Sequence, residues 1–287
     1  MNARAACRVA APSDAERIAA LAERSLVLEI DTYPKPGLVS HVDTGSHADM
    51  DAATFARSAA VLRPYFAELV DAGARDADMA VLRKIGLRAE HAMLAATGGV
   101  NTHRGAIFGL GLLCAAAGRR ALPGAPAGTT LGAFVSRRWG AEILGGPRLP
   151  DSHGERASRR YGVGGARREA ADGFPTVYAV GLPALRRARR DLPDDPEAAR
   201  VAACFALIAA LDDTNLLHRG GQDGLDFARA TARAFVARGG VRARDWRLRA
   251  AAAHRAFVAR RLSPGGAADL LAMSVFVDVL EAEGHVR

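Results

Sequence analysis

Hydrophobic positions along this 287-residue chain recur with a helical period, and no convincing run alternates as a strand does. Ser13-Asp14-Ala15-Glu16 has the form of a capping box and opens a helix to about residue 29, with Ile18, Leu21, Ser25 and Leu28 on one face. Asp31-Thr32-Tyr33-Pro34-Lys35-Pro36-Gly37 stops that helix, because each proline removes a donor and restricts the residue before it. An irregular stretch rich in Asp, His, Ser and Gly follows to about residue 50, and a loop of that length in a compact domain is functional or disordered. The pattern predicts further helices over 51–70, with Pro64 as a kink or break, and over 78–96, 103–117 and 131–144. Residues 145–165 read as a Gly- and Arg-rich connection holding one short helix. Short helices over 167–172 and 176–188 lead into an acidic, proline-bearing loop at 191–196. Helices over 197–211, beyond Gly221, over 244–261 and over 266–283 complete the chain. The predicted fold is all-α: one multi-helix domain with a buried central helix and functional loops at helix ends.

The central helix is the run Ala106-Ile107-Phe108-Gly109-Leu110-Gly111-Leu112-Leu113-Cys114, preceded by Thr97-Gly98-Gly99-Val100-Asn101-Thr102-His103-Arg104-Gly105. A helix that is apolar all round belongs inside a domain. Its N-terminus has free N–H groups and a positive dipole end, and with His103 and Arg104 it makes a seat for an anion such as phosphate. The same residues also fit a core helix with an ordinary Asn or Thr cap.

Composition narrows the class. Hydrophobic residues are 49% and charged residues 24%, as in soluble globular proteins, and aromatics at 6% favour helices over a sheet. A net charge of +8 points to anionic partners. The arginines are scattered (Arg57, Arg63, Arg88, Arg233, Arg238) and cluster only near 186–190 and 242–249, which reads as a solvated surface before a nucleic-acid patch. Lys35 and Lys84 are the only lysines, and each marks a place where a compact point charge is of interest. Cys7, Cys114 and Cys204 form no CxxC pair, which implies a reducing compartment without a disulfide framework or zinc site. The N-terminus lacks the apolar segment of a secretory signal, and the apolar run 106–117 is too short to span a bilayer. A cytoplasmic protein is expected, with no membrane and no nucleic acid among its partners.

Four polar clusters interrupt the apolar pattern. They are Glu29 with Lys35, Asp43, His47, Asp49 and Asp51; Glu90 with Asn101, Thr102, His103 and Arg104; Gly164 to Glu169; and Asp212-Asp213-Thr214-Asn215 through Arg219-Gly220-Gly221. Singly, each has an ordinary explanation: a polar loop, a helix-surface charge at Glu90, or helix caps at Asp212 and Asp213. Together, carboxylates with scattered imidazoles suit oxygen-ligated Mg²⁺ better than zinc, and guanidinium, Lys and helix starts suit phosphates. No P-loop and no GxGxxG after a strand is present. The residues alone therefore reach an all-α enzyme acting on a phosphate-bearing ligand.

Longer motifs carry a resemblance. Glu29 with Tyr33-Pro34-Lys35-Pro36-Gly37-Leu38-Val39, Asp43, Gly45, His47 and Asp49-Met50 is similar to the opening signature of the triphosphoribosyl-dephospho-CoA synthases. So are Gly98 to Gly105 with Ile107-Phe108, Tyr161-Gly162, Gly165-Ala166-Arg167, Glu169-Ala170, Asp213-Thr214-Asn215, Arg219-Gly220-Gly221, and Ser263-Pro264-Gly265-Gly266 before Ala268-Asp269-Leu270-Leu271. The matches run in order through most of the chain. Asp31-Thr32-Tyr33 and Leu216-Leu217-His218 resemble the malonate decarboxylase branch more than the citrate lyase branch. Arg104 stands where the family often has Lys, and the resemblance places no requirement on Lys84.

The resemblance implies a transferase that joins C1 of the ATP ribose to the 2′-hydroxyl of 3′-dephospho-CoA and releases adenine. The product is the prosthetic-group precursor for the malonate decarboxylase acyl-carrier subunit, attached by a separate prosthetic-group transferase. Such chemistry needs a carboxylate near C1, a proton donor to adenine, a base for the hydroxyl and clamps on the triphosphate. Asp213 and Glu90 are the candidate carboxylate or base, and His103 or His47 the candidate donor. Lys35, Arg104 and Arg219 are expected on phosphates, with Asn101 and Thr102 at the helix start. Arg167, Asn215, Gly220 and Gly221 are expected to bind substrate, and Glu29, Asp43 and Asp49 to hold Mg²⁺. The competing expectations are the same reaction serving citrate lyase, an N-ribosyl hydrolase, and a basic helical nucleic-acid binder.

Overall fold

The computed structural model describes residues 13–284 except 123, 127 and 148–151; Cys7 lies outside the described residues. Among them are twelve α-helices and no strand. The first half holds α1 (Asp14–Ile30), α2 (Ala52–Ala74), α3 (Met79–Ala96), α4 (Arg104–Arg120) and α5 (Leu131–Gly145). Short helices α6 (His153–Tyr161) and α7 (Gly165–Ala171) follow. The second half holds α8 (Leu182–Asp191), α9 (Pro196–Ala210), α10 (Thr214–Ala237), α11 (Trp246–Ala259) and α12 (Gly265–Gly284). The capping box at Ser13 and Glu16 forms with both of its hydrogen bonds.

The apolar helix α4 lies in the middle, against α2, α3, α5 and α12, and is buried almost continuously from Ala106 to Gly118. Its glycines are points of close approach. A Cβ at Gly118 would overlap the Val70 carbonyl of α2, and one at Gly73 of α2 would overlap the Ala115 carbonyl of α4. On the other side, Gly105 and Gly109 face α12. A Cβ at Gly105 would overlap Asp269 Oδ2, and one at Gly109 would overlap the Met273 side chain. Residues four apart share a helix face, so two glycines of α4 receive two side chains of α12 in register. The glycines that interrupt the apolar run thus draw both neighbours close to α4.

Several boundaries differ from expectation. Pro64 lies inside α2 without ending it. Pro64 and Ala60 are both exposed, so the carbonyl that loses its partner to proline faces water. The helix expected over 176–188 divides into a π-helical turn, Val177–Gly181, and α8. There a Cβ at Gly181 would overlap Ser274 Oγ of α12. Helix α10 begins at Thr214, before Gly221, because Asp213 caps it at once. Among the described residues no single helix is long and apolar enough to cross a membrane.

Candidate active site

Four helix ends meet around a group of buried polar side chains: the end of α1 and the loop after it, and the starts of α4, α10 and α12. Lys35, fully buried, donates from Nζ to Glu29 Oε1 and to the Glu29 carbonyl oxygen. Burial raises the pKa of the Glu29 carboxyl, while the ammonium beside it pulls the other way. The loop that carries Lys35 is ordered and pinned to α11 and the turn after it. His254 lies between the Lys35 carbonyl oxygen (Nδ1, 2.6 Å) and the Asp43 carboxylate (Nε2, 3.0 Å). Ser46 Oγ donates to the Leu262 carbonyl oxygen at 2.6 Å. At Gly37, with φ of 68°, a side chain would overlap that same carbonyl.

His103 stands at the N-cap position of α4 but makes no side-chain cap. Thr102 Oγ1 donates to Ser58 Oγ (2.7 Å), and the Ser58 hydroxyl meets His103 Nδ1 (2.7 Å). Burial, with a smaller contribution from the Lys35 ammonium, pushes the imidazole pKa down to about 3. His103 is therefore a neutral imidazole at neutral pH and not the imidazolium acid expected for adenine.

The helix start corrects another. The Arg104 N–H donates to Asn101 Oδ1 (3.2 Å), and the Ala106 N–H donates to the Asp269 carboxyl. The acceptor at this helix start is the chain's own carboxyl, admitted because Gly105 has no Cβ. Phosphate is not met there by a row of free N–H groups.

Asp213 is buried and caps two helices at once. Its Oδ1 accepts from the N–H groups of Asn215 (2.8 Å) and Leu216 (3.3 Å) on α10, and its Oδ2 from Ala267 (3.0 Å) on α12. Burial raises its pKa and these donors partly offset that rise. Its geometry is that of a cap shared by two helix starts. Asp269, half-buried in the first turns of α12, has a carboxyl pKa raised well above the usual range by burial and by Asp213 and Glu29. The Asn215 side chain rests on Gly265, one turn before Asp269 on the same face. Asp269 belonged to a motif visible in the sequence but not to the expected site; its partner Gly105 is 164 positions away. His254 is also new to the site and had no sequence signal, being one histidine in an alanine-rich helix.

More exposed residues form the rim. Arg104 Nε donates to Glu90 Oε2 at 2.9 Å, so the expected phosphate ligand and the expected carboxylate are paired. Arg219 ties loop to turn through the Ser46 carbonyl oxygen (3.1 Å), the Arg261 carbonyl oxygen (3.2 Å) and His47 Nδ1 (3.2 Å). His47 Nε2 meets Ser263 Oγ at 2.9 Å, and burial followed by the Arg219 charge lowers its pKa. Gly220 packs on Leu262, and Gly221 bends α10 at φ 62°, ψ −159°, a conformation open essentially to glycine alone. A recess of about 240 Å³ lined by Arg156, Arg160, Tyr161, Leu217 and His218 opens beside that bend. A second depression of about 420 Å³, lined by Thr130, Arg137, Asp172 and Tyr178 among others, contains none of the expected site residues. Arg167 donates to the carbonyl oxygens of Ile143, Leu144 and Gly146 at the end of α5, a capping role in place of the expected substrate contact.

The expected Mg²⁺ ligands do not form one cage. Glu29 is paired with a buried ammonium, Asp43 with His254 and the Gly45 N–H, and Asp49 lies 3.7 Å from His47. No group of three or more His, Cys, Asp or Glu side chains converges at metal-binding spacing among the described residues. Glu29 does not fit a divalent cation, because the Lys35 ammonium already holds its carboxylate.

Residues 15–287 match the family model described as ATP:dephospho-CoA triphosphoribosyl transferase. The chain is 43% identical over 275 residues to a probable 2-(5''-triphosphoribosyl)-3'-dephosphocoenzyme-A synthase of Stutzerimonas stutzeri, covering 94% of this chain and 93% of that one. It is 41% identical over 288 residues to the 2-(5''-triphosphoribosyl)-3'-dephosphocoenzyme-A synthase of Klebsiella pneumoniae, covering 94% and 93%. A Pseudomonas aeruginosa relative described as a probable synthase is 44% identical over 274 residues, covering 93% and 92%. No solved structure matches the chain. The chain belongs to the ATP:dephospho-CoA triphosphoribosyl transferase family, whose members are transferases that use ATP and dephospho-CoA.

Proposed function

We propose that this protein transfers the triphosphoribosyl group of ATP to the 2′-hydroxyl of 3′-dephospho-CoA, with release of adenine, and that it serves malonate decarboxylase. The C1–N bond of ATP breaks, a C1–O bond forms, and the proton lost by the hydroxyl is balanced by one gained by adenine. One observation carries the reading: carboxyls, an imidazole and an ammonium gather where four helix ends meet, in a chain otherwise packed with alanine and leucine. Perturbed acids and bases in a recess suit proton transfer near neutral pH.

The rim supplies the remaining functions. Arg104 and Arg219 offer guanidinium groups to the triphosphate, and Asn101, Thr102 and Asn215 offer hydrogen bonds to ribose and base. Glu90, freed as Arg104 turns to phosphate, accepts the proton of the attacking hydroxyl. Mg²⁺ arrives on the triphosphate, neutralising its charge, and needs only one or two carboxylates, which Asp43 and Asp49 can provide. The malonate assignment rests on Asp31-Thr32-Tyr33 and Leu216-Leu217-His218. Two of these residues bind α9: Arg200 donates to Thr32 Oγ1 at 2.8 Å, and the Tyr33 N–H donates to Glu197 at 3.1 Å.

Adenine release from ATP, followed with and without dephospho-CoA, tests the reaction. Acceptor-dependent release with a triphosphoribosylated product is expected. Release without acceptor would make the protein an N-ribosyl hydrolase, and absence of release would remove the reading. In cells lacking this protein the malonate decarboxylase carrier should accumulate without its prosthetic group, and a carrier that keeps the group would remove the malonate assignment.

A further inference from the structure

We propose that Asp269 is the acid that protonates adenine as the ribose–adenine bond breaks, an inference that rests on the transfer reaction above. The departing base needs a proton, since expelling it as an anion is costly. Neither expected histidine supplies one. His103 is neutral and bound through Nδ1 to Ser58, and His47 is held between Ser263 and Arg219 with its pKa lowered.

Asp269 has the required placement. It lies half-buried at the junction of α12 and α4, and the absent side chain of Gly105 gives its carboxyl room. The Ala106 N–H engages the carboxyl as an acceptor, leaving an oxygen able to carry the proton. The charged groups set against it are Asp213 before α10 and Glu29 of α1, and His103 and Arg104 directly precede the Gly105 that it packs on. Burial, and then the nearby Asp213 and Glu29 carboxyls, raise the Asp269 pKa well above the usual carboxyl range and so favour its protonated form, while the Lys35 ammonium is neutralised by Glu29.

A second observation comes from the same helix start. Ser58 accepts the Thr102 proton and gives its own to His103 Nδ1, so the ring proton of His103 is on Nε2. That Nε2 is buried and has no hydrogen-bond partner among the described residues. Buried donors are satisfied as a rule, and a donor left open here fits a ring nitrogen of the base. Neutral His103 then orients adenine, and Asp269 delivers the proton. The bonding electrons of C1–N pass to adenine, the hydroxyl oxygen bonds to C1, and its proton restores Asp269 through Glu90 and solvent.

Asp269→Asn keeps an acceptor for the Ala106 N–H and removes the acid. Its rate of adenine release from ATP is to be compared with its rate on the p-nitrophenyl riboside 5-triphosphate, whose phenolate leaves without protonation, both with dephospho-CoA. A loss of about 10²-fold or more on ATP is expected, with a loss of less than about 10-fold on the nitrophenyl substrate. The ratio within one preparation is independent of the folded fraction. In the wild type the rate on ATP falls as pH rises through the Asp269 titration, and the variant lacks that limb. Equal losses on both substrates with an unchanged pH profile, or no loss at all, would overturn the assignment. Adenine release by the wild type without acceptor would instead remove the transfer reading and leave the acid assignment standing.

Discussion

Burial near Lys35 holds His103 neutral down to about pH 3, whereas an imidazole in the unfolded chain takes up a proton near pH 6.5. Between those values the unfolded state binds more protons, so the His103 contribution to stability is full above pH 6.5 and is lost as pH falls toward 3. The expected loss from this residue between pH 7 and pH 5 is about 2 kcal/mol. Glu29, Asp213 and Asp269 have raised pKa values and act in the opposite sense, losing stability as pH rises, so the histidine term must be read as a difference. Urea denaturation of wild type and His103→Asn at pH 7 and pH 5 isolates it. The variant should show the smaller acid loss, and parallel curves would mean that His103 is protonated in the folded protein. The sequence identified His103 as a site residue, but its protonation state follows from Ser58 and Lys35, 45 and 68 positions away, which no local motif contains.

Between elements, glycines on different helices respond differently to the same change. Gly118 of α4 faces the backbone carbonyl of Val70 with no room for a methyl group, so Gly118→Ala should destabilise the protein by about 1–3 kcal/mol through overpacking. Gly86, in α3, has open space at its Cβ position, and Gly86→Ala should stabilise by about 0.5–1 kcal/mol through helix propensity. Denaturant midpoints of the two variants check both signs. Period and caps were enough to locate α1, α3, α5 and α9 to within a few residues, since their apolar faces and capping residues are local. The division at Val177–Gly181 and the early start of α10 were not legible, because one depends on contact with Ser274 and the other on a cap shared with α12.

For the whole molecule, the all-α class was readable from helical periodicity, abundant alanine and scarce β-branched and aromatic residues. The candidate site was legible as a set of motifs, and Glu29, Lys35, His103 and Asp213 do gather where helix ends meet. What each does was not legible. Asp213 reads in one dimension as either a helix cap or a catalytic carboxylate and in three as a cap shared by two helices, while Asp269 was present in a motif without a role. That shared cap has a dynamic consequence. The amides of Asn215 and Leu216 and those of Gly266 and Ala267 are some 50 positions apart in the chain, yet one carboxylate holds all four. They should exchange their hydrogens with solvent as one unit, opening together and with a common protection factor. Asp213→Ala should speed all four at once while leaving amides in the middle of α3 unchanged. Independent exchange of the two pairs would show that the two helix starts open separately. If they do open together, α10 and α12 cannot unwind one without the other, and the recess keeps or loses its shape in a single event.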